Sequence, residues 1–184
     1  MGGPIELIPL VCFKCEMAVP AQPEEVAWAC SRCGQGLVLD ETKGLDALEI
    51  HYHAGLRPDL SGKPFWVVEG QVTLNRAVYG GQNQTQEALQ FWAVPHRFFV
   101  PAYTCPLETL TSLGPQHLLK PPALQDGPAA VFEAVTLAPT DLQAMVEFIV
   151  MAVEAGRKDK LRSMSIGLKL NDPVLWILPG SPKG

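Results

Sequence analysis

Four cysteines within residues 12–33 constrain this chain more than any other feature. Cys12 and Cys15 bracket Phe13 and Lys14, and Cys30 and Cys33 bracket Ser31 and Arg32, a C-x2-C-x14-C-x2-C array. Two cysteines three positions apart can turn both sulfurs toward one ion. Two such pairs supply the four thiolates of a tetrahedral site. Gly34 follows the second pair, where glycine accepts the positive φ of a tight turn at little cost. A disulfide framework is the alternative use of four cysteines. It belongs to secreted chains, and Met1–Leu10 holds no Lys or Arg and only a broken apolar run, unlike a secretory leader. Haem attachment is excluded, because Glu16 and Gly34 stand where histidine would be required.

The flanks complete a pattern of strand, knuckle, strand, knuckle, strand, with apolar runs at 7–11, 26–29 and 37–39. With them, residues 7–41 resemble a zinc ribbon. The resemblance implies a structural zinc held by Cys12, Cys15, Cys30 and Cys33, in a module that grips another protein or a nucleic acid. Four thiolates close the coordination sphere, so no position is left for substrate. Rubredoxin-like electron carriers hold iron with the same ligand set. Their Cys-Pro second knuckle and aromatic-rich surround are missing here, so zinc is the expected ion and iron its competitor.

Charge helps to choose the partner. Residues 1–44 carry three cations (Lys14, Arg32, Lys43) against six carboxylates, and residues 45–154 carry five against eleven. Only residues 155–184 are basic, with six cations against two carboxylates, most of them in Arg157, Lys158, Lys160 and Arg162. A net charge of −5 does not suit a nucleic-acid binder that works by bulk charge. The expected partner is a protein or a second copy of the chain. The basic C-terminal segment reads as a solvated helix end, or else as a contact for an acidic partner or an anionic membrane surface. The longest strongly apolar run, 142–153, has 12 residues and contains Glu147. A membrane span needs about 20, so the chain is expected to be cytoplasmic.

The sequence divides into the ribbon, 1–44, and a second unit, 45–184, giving an α+β chain. The second unit reads as a mainly antiparallel sheet packed with one long and one short helix. Alternation predicts strands over 48–53 and 65–79, a polar loop over 82–86, and a strand over 91–100 interrupted by Pro95. A short helix is expected over 106–113, stopped by Gly114, then an extended loop over 114–129 and a strand over 130–137. The long helix spans 141–155, with Thr140 and Gln143 suited to cap it and Gly156 to end it. Its polar residues Gln143, Glu147 and Glu154 fall within about 40° of one another at 100° per residue. So narrow a polar stripe predicts a helix covered on most of its circumference. A strand over 165–170 and an apolar tail over 174–178 complete the reading.

No catalytic constellation stands out. His51 and His53 share one strand face and would need a third ligand to hold a metal. Cys105 lies at a helix start, where a dipole lowers a thiol pKa, with His96 and His117 elsewhere in the chain. No phosphate loop, nucleophile elbow or zincin motif occurs. The sequence therefore reads as a non-enzymatic adaptor or assembly subunit. A nucleic-acid-associated ribbon and an iron electron carrier are the alternatives.

Overall fold

The computed structural model describes residues 9–180 apart from Glu41, Lys43 and Gln82. Leu7 and Ile8 of the first expected strand lie outside that range. From that stretch Val11 makes a single antiparallel bridge to Ala18.

The chain is α+β, with two sheets. The first is antiparallel, in the order β1 (Ala27–Ala29), β2 (Gly36–Asp40), β3 (Gly44–Leu48). The second has five strands and is built on the 19-residue β5 (Lys63–Gly81). One side of β5 pairs antiparallel with β6 (His96–Pro101). The other side pairs first with β8 (Val174–Leu178) and then with β7 (Asp159–Leu170). Beyond β8 lies β4 (Ile50–Tyr52), the one parallel partner among these strands. The strand expected over 48–53 is thus shared between sheets: Leu48 closes the first and Ile50 opens the second. The apolar tail is a strand, with Leu175–Leu178 buried.

Three helices pack on the second sheet: α1 (Thr85–Trp92), α2 (Leu107–Leu119) and α3 (Leu142–Ala155). Here the structure corrects three local readings. First, Phe91 and Trp92 end a helix, and only His96–Pro101 is strand. Ala88 and Trp92 stand four apart, which places both on one helical face, and both are buried in the core. Second, α2 does not stop at Gly114 but continues through Pro115 to Leu119. A Cβ on Gly114 would lie 2.5 Å from Ile149 Cγ1, so the glycine is a close-packing point between α2 and α3. Continuation of the helix then brings Leu118 into the core, a tertiary gain that outweighs the donor lost at Pro115. Third, 130–137 is an extended strap rather than a strand. Its main-chain bonds to other main-chain groups go to three places: Gly62 N–H donates to Val131 O, Val26 N–H to Val135 O, and Thr136 N–H to Ala102 O.

The long helix lies where its apolar pattern puts it, preceded by a 3-10 turn at Pro139–Asp141 rather than by a side-chain cap. Its polar stripe differs from expectation, because Glu154 is only 1% exposed. Glu154 Oε1 accepts hydrogen bonds from Trp92 Nε1 and Arg157 Nε, both at 2.8 Å. Its Oε2 lies 3.1 Å from Arg76 Nε. Arg76 in turn forms a two-pronged pair with Asp159, at 2.8 and 2.9 Å. This holds the Asp159 carboxyl below the usual carboxylate range. A buried carboxylate persists only when paired in this way. The network ties β5, α1, α3 and β7 together.

The main core lies between the helices and the second sheet and includes Trp66, Phe98, Val146 and Ile149. Ala27 of the first sheet belongs to the same core. The ribbon also has a small cluster of its own around Cys12, Trp28, Cys30 and Leu37.

Candidate metal centre

Two knuckles of matching design bring the cysteines together. In the first, Cys12 N–H donates to Met17 O and Glu16 N–H donates back to Cys12 O at 2.8 Å. In the second, Cys30 N–H donates to Gln35 O and Gly34 N–H donates to Cys30 O at 2.8 Å. In both, the residue after the second cysteine turns left-handed, with φ 59° at Glu16 and φ 72° at Gly34. Glycine marks the second turn in the sequence. Glu16 hides the first, since a non-glycine residue at positive φ is uncommon and carries no sequence signal of its own.

The four sulfurs lie within 4.8 Å of one another. Cys12 Sγ is 3.7 Å from Cys33 Sγ, and Cys15 Sγ is 3.5 Å from Cys30 Sγ. A disulfide would hold two sulfurs about 2.0 Å apart. A tetrahedron with metal–sulfur bonds of about 2.3 Å has edges of about 3.8 Å, and the observed separations match it. Cys12 and Cys30 are buried, while Cys15 and Cys33 are partly exposed. Trp28 and Leu37 pack behind the cluster, and Trp28 Nε1 is fixed by a 2.9 Å bond to Glu25 Oε2.

The electrostatics suit a cation. The backbone N–H groups of Cys33 and Arg32 pull the Cys30 thiol down to about 6. The Met17 N–H also favours a Cys15 thiolate, yet burial and the three neighbouring cysteines push that thiol up to about 12. Four thiols this close cannot all ionise without compensating positive charge, and a divalent ion would supply it.

The other sequence candidates do not converge. His51 stacks on Trp176 at 4.7 Å, and its ring nitrogens face Asp126 at 2.8 Å and Glu49 at 3.0 Å. His53 Nε2 lies 2.8 Å from Ala123 O, and its Nδ1 accepts from Gly55 N–H. Each ring therefore has separate partners, and among the described residues only the cysteine cluster forms a metal-sized group. Cys105 is partly buried, and burial raises its thiol pKa despite nearby Lys63. That is the reverse of an activated nucleophile.

One feature had no sequence signal. A groove of about 650 Å³ opens between the second knuckle and the strap. Cys30, Ser31 and Gly34 form one wall, Val131 and Phe132 the other, and Tyr52 part of the lining. Val131 is 74% exposed on its lip. The groove exists because the strap meets Ala27 at Val135 and then leaves the ribbon to bond Gly62. Its walls are some hundred residues apart in sequence.

No helix among the described residues is long and apolar enough to cross a membrane. No family model, curated protein or solved structure matches this chain.

Proposed function

We propose that Cys12, Cys15, Cys30 and Cys33 hold one zinc ion in a closed structural site, and that the module it staples is the docking element of a non-enzymatic adaptor or assembly subunit. The observation that carries the metal reading is the pair of sulfur separations, 3.5 and 3.7 Å, which suit a tetrathiolate tetrahedron. With four protein sulfurs as ligands the ion has no free position for chemistry. Its work is to fix the knuckles that the small ribbon cluster cannot hold alone. The docking reading draws on the groove, whose one wall is the second knuckle itself. A protein ligand fits better than nucleic acid, because Lys14 and Arg32 are the only described cations of the ribbon. Four free thiols holding a metal also suit a reducing, cytoplasmic setting.

Elemental analysis of the full chain tests the site. It should give one zinc per chain, lost in Cys30→Ser. Removing the metal with a chelator should abolish amide protection in β1–β3 while β5 and β8 stay protected. One iron per chain with visible colour would replace zinc with the electron-carrier reading. Unchanged protection of β1–β3 after metal loss would overturn the structural role.

A further inference from the structure

The basic segment noted in the sequence does not form a solvated helix end. Arg157 alone stays with the helix and is bound by Glu154, while Lys160 and Arg162 stand on β7 together with Lys169. β7 is an edge strand: among the described residues its ladder runs to β5 alone. It is twelve residues long and contains no proline. The three-residue β4 and the short β6 are far shorter edges. The second side of β5 beyond Gly70 also lacks a ladder among the described residues, but its one cation, Arg76, is already paired with Asp159 and Glu154. An open edge of this length presents a row of unused N–H and C=O groups.

Two further observations describe what fits there. Met164, Ile166, Leu168 and Leu170 turn inward against the core, yet all four stay only half-buried. The layer simply stops at β7. The outward residues at its ends are cations without carboxylate partners. Elsewhere some cations are paired, as in Arg57–Asp59, Lys63–Glu133 and Arg97–Glu69, and others, such as Lys14 and Lys120, are single; only on β7 do three unpaired cations share one strand among the described residues. Among the described residues Lys160 and Lys169 make no ion pair, and Arg162 faces only the exposed ring of Tyr79, 5.5 Å away. The edge is therefore apolar inward, neutral from Ser163 to Leu168, and cationic toward both ends.

We propose that the outer edge of β7 binds an extended acidic segment of another protein as an added strand. Backbone hydrogen bonds supply the pairing, alternate apolar residues continue the inner layer, and carboxylates meet Lys160, Arg162 and Lys169. A second copy of the chain fits less well. Two β7 edges paired antiparallel about their middle bring Lys160 of one copy beside Lys169 of the other, like charge against like.

The test uses the full chain and a fluorescent ten-residue peptide of alternating Val and Glu, read by anisotropy and by amide exchange. The expected result is binding that weakens with salt, together with new protection in β7. Lys160→Glu/Arg162→Glu/Lys169→Glu should weaken it by about tenfold or more. These side chains are exposed, so the fold is left intact. A peptide of equal charge with two Val replaced by Pro should not bind, since proline cannot join a ladder. The proposal is overturned if the proline peptide binds as well, which would mean charge alone. Equal binding by a Gln-for-Glu peptide, or no binding, overturns it too. So does a dimer that protects β7 without peptide, which would give the edge to a second copy.

Discussion

Gly114 of α2 and Ile149 of α3 meet so closely that a Cβ on the glycine would stand 2.5 Å from Ile149 Cγ1 and 2.7 Å from its Cδ1. Ile149 is fully buried and cannot swing into solvent. The contact sets how near the two helices approach, and so how tightly α2 closes over the sheet.

Gly114→Ala should therefore destabilise the protein by about 1–3 kcal/mol, although alanine is the better helix former. Ile149→Ala alone should cost about 2–5 kcal/mol through its cavity. Urea unfolding of the double variant should show a loss smaller than the sum, because the new methyl occupies space that the isoleucine vacates. Strict additivity would mean that the two residues do not limit each other.

The buried network around Glu154 gives a second expectation. Replacing Glu154 by Gln keeps the shape but leaves Arg76 and Arg157 without that carboxylate. Removing one partner of a buried pair should cost about 3 kcal/mol. The same change at Glu147, which is only partly buried on the same helix, should shift the urea midpoint far less. Equal effects at the two sites would show that Glu154 is solvated in solution.

His117 supplies a pH dependence. Its ring lies 5.5 Å from Phe65 and 5.6 Å from Phe99, and its buried Nδ1 has no hydrogen-bond partner. Burial holds its pKa below the usual histidine value. The unfolded chain then takes up the proton first as pH falls. The stability that His117 contributes is complete above about pH 6.5. It declines from there as pH falls toward the lowered folded value. His117→Phe should remove that slope from stability measured between pH 7 and 5. A variant whose slope matches the parent would place the titration elsewhere.

The legible parts of this protein were those with local physical causes. The array at 12–33 announced the cysteine cluster because ligand spacing is a short-range property of the backbone. The helix at 142–155 and the alternation over 65–79 were readable because each repeats a period over three or more turns or pleats. Phe91-Trp92 reads as strand because aromatic and β-branched residues favour strands in general, while burial of Ala88 and Trp92 depends on where α1 docks. Gly114-Pro115 reads as a stop on propensity alone. Only the approach of Ile149 makes the glycine necessary and the continued helix favourable.

By itself, the sequence determined the cysteine cluster, the α+β class and the apolar character of α3, since each follows from residue type and spacing along a short stretch. Tertiary structure decided that Glu154 is a buried carboxylate, that the strap splits from β1 to open a groove, and that Lys160, Arg162 and Lys169 lie on an open edge. Those three outcomes depend on contacts between residues far apart in the chain. Their free energies come from desolvation and packing that exist only once the layers have met.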